Sequence, residues 1–293
     1  MRISQRLANG QPCFSFEFFP PKTDEGVTHL FEALRELSPL EPGFASVTYG
    51  AGGSTRQRTV EIATRIQRET GIEPLAHVAC VGHTRGEIGA ILDRVRDAGV
   101  ENVLCLRGDQ PRDQAAPIAT TDGFRFASEL VEFVRGGRWE VGIGGACYPE
   151  GHIENPSRDD DLRMLVRKVE AGAEFLITQL FYDNAFYFDF VARARSLGIG
   201  VPIIPGIMPI TGFEQIDRIT RMCGATIPMR LRLELERRKD DPEAIAELGV
   251  AHATVQCVEL LARGAPGVHF YTLNRSRATR MILAALRTRS SLR

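Results

Sequence analysis

The chain has no apolar run that reads as long enough to span a bilayer, and its N-terminus, Met-Arg-Ile-Ser-Gln-Arg-Leu, lacks the apolar core of a signal peptide. It also lacks a surplus of charge of either sign. With 36 basic and 37 acidic residues in 293, near-zero net charge argues against a dominant nucleic-acid role, which would need a basic surplus or a clustered basic face. The run from Arg230 to Lys239, which alternates Arg with Leu and Glu, reads as a solvated helix. Six cysteines (Cys13, Cys80, Cys105, Cys147, Cys223 and Cys257) form no C-x-x-C pair, so they read as buried thiols of a reducing compartment and the protein is expected to be cytoplasmic. No low-complexity linker divides the sequence, and a single catalytic domain over 1–293 is expected.

Several chemical signatures are missing too. Gly50-Ala51-Gly52-Gly53-Ser54-Thr55 and Gly142-Ile143-Gly144-Gly145-Ala146-Cys147 both fail G-x-G-x-x-G at the last glycine, and neither ends as a phosphate-binding P-loop does. These glycines read as tight turns and points of close backbone approach. There is no G-x-S-x-G elbow for nucleophilic hydrolysis. His77, Cys80 and His83 suggest a metal, but in a strand His77 and Cys80 face opposite ways and no fourth ligand lies nearby, so no metal is expected.

What is present is an alternation of short apolar strands with helix-period segments, the pattern of a parallel sheet. Candidate strands fall at 14–18, 44–48, 75–79, 102–106, 140–145, 174–179, 202–206 and 267–271. Eight βα units in under 300 residues predict a (β/α)8 TIM barrel, with an open doubly wound sheet as the competitor. A helical insertion, about 223 to 262, precedes the last strand, and Arg2 to Ala8 suggests a short helix before the first.

A barrel gathers its chemistry where strands end, and polar residues recur there. Phe14-Ser15-Phe16-Glu17-Phe18-Phe19-Pro20-Pro21 embeds one carboxyl in an aromatic strand stopped by two prolines. Alternation puts Phe14, Phe16 and Phe18 on one face and Ser15, Glu17 and Phe19 on the other. A partly desolvated Glu17 is expected to have a raised pKa and to serve as a general acid; the alternative is a strand-end Glu in solvent or paired with an Arg. Thr48, His77, Arg107-Gly108-Asp109, Tyr148 with His152, Gln179, and Asn274 with Arg275 lie in or just beyond the other strand ends. Asp109 could stabilise a cation or simply begin a turn before Pro111. On the predicted helix 158–171, Asp161 and Lys168 share a face and Arg167 adjoins Lys168, a set that suits a diphosphate and a ribose-like hydroxyl chain or, equally, a salt-bridged surface.

With Phe16-Glu17-Phe18-Phe19-Pro20-Pro21-Lys22, Val47-Thr48-Tyr49-Gly50, Leu106-Arg107-Gly108-Asp109, Tyr148-Pro149-Glu150, Thr178-Gln179 and His269-Phe270-Tyr271-Thr272-Leu273-Asn274-Arg275 in this order, the chain resembles the methylenetetrahydrofolate reductases in their short bacterial form. The resemblance implies a barrel that holds FAD. NADH or NADPH would deliver electrons in a first half-reaction, and 5,10-methylenetetrahydrofolate would become 5-methyltetrahydrofolate in a second, feeding methionine synthesis. It also implies roles: Glu17 as the general acid, Asp109 as the carboxylate that holds the pterin and stabilises the cation, and Gln179, Gln215 and Arg275 as substrate contacts. Thr48, His77, Arg107, Gly108, Asp109, Ala146, Tyr148, His152, Asp161, Arg167 and Lys168 match FAD-binding positions. Two positions depart from the pattern: Ile219 stands where a Phe stacks on the nicotinamide, and Met164 where a polar flavin contact is common. Ile219 leaves open a reductase fed by an iron–sulfur partner, and a non-redox folate-binding barrel is the remaining alternative. The resemblance implies no C-terminal regulatory domain, and a homo-oligomer is expected.

Overall fold

Strand alternation sorts the chain into two apolar layers, one outside and one inside a ring of parallel strands. The computed structural model describes residues 1–49, 56–108 and 122–290. In chain order the elements are α1 (Ile3–Leu7), β1 (Cys13–Phe18), α2 (Asp24–Leu37), β2 (Phe44–Val47), α3 (Arg56–Thr70), β3 (Pro74–Ala79), α4 (Arg85–Asp97), β4 (Asn102–Leu106), α5 (Ala127–Gly136), β5 (Gly142–Cys147), α6 (Arg158–Glu170), β6 (Phe175–Thr178), α7 (Asn184–Ser196), β7 (Ile203–Ile204), β8 (Gly206–Ile207), α8 (Phe213–Cys223), α9 (Met229–Arg237), α10 (Pro242–Ala262), β9 (Gly267–Tyr271) and α11 (Arg277–Ser290). Among the described residues every pairing within the sheet is parallel, in the order β7-β6-β5-β4-β3-β2-β1-β9-β8.

The fold is a TIM barrel, with one correction to the expected strands. The predicted seventh strand is two short pieces, β7 and β8, parted by Pro205. Proline has no N–H to give the ladder, so the strand changes partners there: Ile203 and Ile204 register with β6, whereas Gly206 and Ile207 register with β9. The Pro205 carbonyl accepts from the His269 N–H at 2.9 Å, which carries the ring across the break.

Phe16 and Phe18 are fully buried in the layer between strands and helices, together with Leu30, Leu34, Ile66 and Phe270. The other face of the strands fills the barrel floor: Cys13, Phe44, Leu75, Leu104, Phe175, Ile177 and Ile204 pack with Ile3 and Leu7 of α1. The predicted N-terminal helix is therefore a plug. Burying each such side chain contributes about 1.5–3 kcal/mol, and the plug leaves the other end of the barrel for chemistry.

The expected insertion, about 223 to 262, covers α9 and α10; α10 takes its place in the outer ring against α7 and α11, and α8 lies ahead of the expected segment, after β8. By length and composition α10 is apolar enough to cross a membrane, contrary to the reading of the sequence. Here Ile245, Gly249, Ala253, Gln256, Cys257 and Leu260 are buried, and Gln256 donates to the Phe181 carbonyl at 3.2 Å.

Candidate active site at the C-terminal ends of the strands

Glu17 points inward near the end of β1, as alternation requires, and it is not alone. Its Oε2 lies 3.3 Å from Ser46 Oγ of β2, 3.3 Å from His269 Nε2 of β9 and 3.4 Å from His77 Nε2 of β3. His269 is fully buried, its Nδ1 lies 2.8 Å from Ser15 Oγ, and its ring stacks on Phe44 at 5.7 Å. About a sixth of the Glu17 side chain (17%) stays accessible, so the carboxyl looks out of an otherwise sealed cluster.

The end of β1 is held by the loop after β9. Thr272 Oγ1 donates to the Glu17 carbonyl at 2.6 Å, and the Asn274 side chain takes both the N–H and the carbonyl of Phe19, at 3.0 and 2.9 Å. Asn274 adopts φ 58°, a left-handed conformation that Asn tolerates.

The expectation that Glu17 has a raised pKa is not met. Burial pushes it up, but the hydrogen bond from His269, the potential of His77 and His269, and the Ser46 hydroxyl outweigh burial and hold the carboxyl below its ordinary value. Burial pushes His77 down to about 4, although the Glu17 carboxylate pulls the other way. His77 is therefore neutral above that pH, which leaves His269 and Ser46 as the groups that hold the carboxylate at neutrality. The His77 Nε2 has no hydrogen-bond partner among the described residues.

A second cluster gathers at the ends of β4 and β5 and along α6. Arg107 makes a two-pronged pair with Glu154 at 2.7 and 2.8 Å; the Glu154 N–H donates to His152 Nδ1 at 3.1 Å; and the His152 ring meets Tyr148 edge-on at 4.6 Å. Ser157 caps α6 by accepting from the Asp160 N–H, and Asp159, Asp160 and Asp161 favour its first turn. Burial pushes the Asp161 carboxyl up against the pull of Lys168 and His152, and burial lowers Lys168. Lys168 Nζ donates to the Ala146 carbonyl at 2.5 Å.

The β5 glycines make that reach available. They lie within the strand expected at 140–145, and their role is the close approach expected of such glycines. A Cβ on Gly145 would sit 2.7 Å from Lys168 Cδ, and one on Gly144 2.6 Å from the Phe175 ring. Gly108, at φ 88°, likewise lies against Val81 and Ala79. The basic set of Arg107, His152 and Lys168 beside a carboxylate fits an anionic, hydroxyl-bearing cofactor such as FAD.

Other predicted residues are placed without being joined to these clusters. Thr48 sits just past β2, where its carbonyl accepts from Thr59 Oγ1 at 3.0 Å. Gln179 Oε1 accepts from the Leu180 N–H at 2.9 Å, Gln215 lies 3.4 Å from Thr211 Oγ1, and Arg275 is exposed. Arg167 is exposed and its side chain reaches Met164 Sδ of its own helix, at 3.8 Å. Ile219 packs in a rim cluster with Phe213, Tyr271 and Leu273. Asp109 and the Gly50–Thr55 segment lie outside the described residues. Ser15, Ser46, His269 and Tyr271 were given no role from the sequence. Shared strand parity, Ser15 with Glu17 and His269 with Tyr271, and the motif running from His269 to Arg275 were the signals for three of them; Ser46 had none.

A family model described as methylenetetrahydrofolate reductase matches residues 2–287. The chain belongs to the methylenetetrahydrofolate reductase family. It is 38% identical to the 5,10-methylenetetrahydrofolate reductase of Salmonella typhimurium, covering 99% of this chain and 96% of that one. It is 41% identical to methylenetetrahydrofolate reductase (NADH) 1 of Arabidopsis thaliana over 93% of this chain; that protein is longer, and the match spans 48% of it. The chain thus spans about half the length of the plant reductases it matches. Among solved structures, a Clostridium thermocellum protein described as binding two copies of 5-methyl-5,6,7,8-tetrahydrofolic acid superposes with a TM-score of 0.69 at 16% identity, over 99% of both chains, and shares the fold.

Proposed function

We propose that this member of the methylenetetrahydrofolate reductase family reduces 5,10-methylenetetrahydrofolate to 5-methyltetrahydrofolate in the cytoplasm, with FAD as its cofactor and NADH or NADPH as donor, in two half-reactions that serve methionine synthesis. The observation that carries the reading is Glu17: an inward-facing carboxyl near the end of β1, partly accessible, with Ser46, His77 and His269 around it. FAD would be held by Arg107, Tyr148, His152, Asp161 and Lys168, and when bound it supplies hydride transfer. The protein supplies orientation and a proton.

Glu17 is ionised in the ligand-free geometry, so as an acid it must take up its proton in the complex. A bound substrate removes the remaining water and strengthens the burial that already pushes the carboxyl up. The proton then goes to the folate nitrogen whose ring C–N bond opens. The family resemblance gives Asp109 the cation, and Gln179, Gln215 and Arg275 the rest of the folate. The names of the Salmonella and Arabidopsis relatives, and the tetrahydrofolate bound by the Clostridium protein, support the substrate class.

Ile219 favours one second reading, a reductase fed by an iron–sulfur partner, because an aliphatic side chain offers no stacking face to a nicotinamide. The test is an absorbance spectrum of the purified protein under nitrogen, followed by NADH and then methylenetetrahydrofolate. Yellow protein that bleaches and then recolours supports the proposal. Yellow protein indifferent to NADH and NADPH moves the reading to the partner-fed enzyme, and colourless protein that takes up no FAD overturns both.

A further inference from the structure

Two residues beyond His269, β9 turns a second side chain inward. Tyr271 lies in register with Glu17 of β1, and its hydroxyl reaches across β8 to donate to the Thr178 carbonyl of β6 at 2.6 Å. That carbonyl belongs to the Thr178–Gln179 peptide, whose N–H donates to the Cys147 carbonyl of β5 at 2.7 Å. Both polar atoms of one peptide are thus held, one from β9 and one from β5, and Gln179 projects from the peptide they fix. Thr178 is fully buried, and its Oγ1 accepts from the Gly206 N–H at 2.8 Å, a third link, from β8.

The strand break at Pro205 is what makes the hydroxyl necessary. β6 registers with β7 through Leu176 and Ile177, and past the proline the chain registers with β9 instead, so among the described residues no strand continues the ladder at Thr178 on that side. A buried carbonyl without a donor is costly, and here Tyr271 is the donor. Gly206 clears the route: a Cβ there would come within 2.3 Å of the Thr178 carbonyl oxygen, 2.7 Å of Tyr271 Cε2 and 2.8 Å of its hydroxyl oxygen. The Tyr271 ring meets His269 edge-on at 5.5 Å and packs in the rim cluster with Phe213, Ile219 and Leu273. Packing sets the direction of the ring, and one hydrogen bond sets its tip.

We propose that Tyr271 is a positioning residue of the folate site that acts through Gln179: its hydroxyl fixes the Thr178–Gln179 peptide and so sets where the Gln179 amide stands relative to the Glu17 carboxyl. The inference rests on the folate-reductase reading, in which Glu17 from β1 and Gln179 at the end of β6 serve one substrate. Tyr271 joins these two places directly, since its backbone lies beside Glu17 and its tip beside Gln179. In the ligand-free geometry Gln179 Oε1 accepts from the Leu180 N–H at 2.9 Å, so the amide turns to the substrate by rotation of its side chain. From a fixed Cα that rotation ends in one place; from a peptide free to tilt it ends in many, and a substrate contact misplaced by about an ångström loses much of its effect.

The test is a double-mutant cycle on folate reduction, pairing Tyr271→Phe, which removes one oxygen and keeps the ring, with Gln179→Ala. The proposal predicts that Tyr271→Phe lowers kcat/KM for methylenetetrahydrofolate by about tenfold in the wild-type background. In the Gln179→Ala background the same change should cost less than about twofold, because the side chain it positions is gone. An equal fall in both backgrounds, or none in the wild-type background, would overturn the proposal and leave Tyr271 as packing. Hydrogen exchange of the Gln179 amide in the ligand-free protein reads the tether without substrate. It should quicken by about tenfold in Tyr271→Phe, and an unchanged rate would overturn the tether. If Gln179→Ala reduces folate as the wild type does, the folate reading of that side chain fails, and the exchange rate still decides whether the hydroxyl holds the peptide. Should Tyr271→Phe not fold, Thr178→Ala removes the Gly206 link to the same peptide, and its cycle with Gln179→Ala decides by the same two outcomes.

Discussion

Acid should unfold this protein through His77. The side chain is 5% exposed, and burial holds its pKa at about 4 against an ordinary 6.5. The unfolded chain takes up a proton at this residue near pH 6.5 and the folded chain only near pH 4, so between those values the unfolded state carries more protons and stability falls as pH falls. Above pH 6.5 both states are neutral here and the residue contributes no slope. The drop from 6.5 to about 4, at about 1.4 kcal/mol per pH unit, corresponds to about 3 kcal/mol lost by pH 4. Glu17, held below its ordinary 4.5, adds to the loss only at the acid end of that window. Urea titrations of the wild type and His77→Gln at a series of pH values from 7 down to 4 measure the difference. His77→Gln should flatten the slope between pH 6.5 and 4.5, and Glu17→Gln should steepen it, because the carboxylate is what pulls His77 upward. An identical slope in wild type and His77→Gln would refute the reasoning.

Three further outcomes follow from particular contacts. Gly145→Ala places a Cβ against the flexible Lys168 stem, so it should cost about 1 kcal/mol of stability in a thermal melt while weakening FAD binding about tenfold by fluorescence titration. Asn274→Ala removes two hydrogen bonds to the Phe19 backbone and should cost about 1–3 kcal/mol in urea unfolding, with slower folate reduction because the end of β1 loosens. Arg107→Ala should weaken FAD binding about tenfold, whereas Glu154→Gln, which releases Arg107 from its carboxylate partner, should tighten it a few-fold at low salt.

What the sequence disclosed and what it hid divide along one physical line. Periodicity is local, so the outward Phe16 and Phe18, the inward Ser15 and Glu17, and the shared helix face of Asp161 and Lys168 were all legible. Pro205 was legible as a residue but not as a break, because whether a missing N–H matters depends on which neighbour would have accepted it. The pKa of Glu17 was misjudged for a related reason. Burial of the carboxyl could be inferred from its aromatic strand, but the compensating His269 lies 252 residues away, and only strand registers across the closed barrel bring it to 3.3 Å. The β5 glycines were legible as strand residues and as tight turns or points of close approach, but that Lys168 and Phe175 are what approaches them is a tertiary requirement with no local trace. The apolar composition of α10 was underestimated, and its packing against α7 and α11 accounts for the buried side of the helix.

The central claim is that Glu17 supplies a proton to folate and takes no part in accepting electrons from NADH. Stopped-flow measurement of the two half-reactions in wild type and Glu17→Gln tests it most directly. The account predicts that reduction by NADH keeps its rate, while turnover of methylenetetrahydrofolate falls by about 10²–10⁴-fold, the contribution of a positioned acid. Equal loss in both half-reactions, or none in the second, would contradict it.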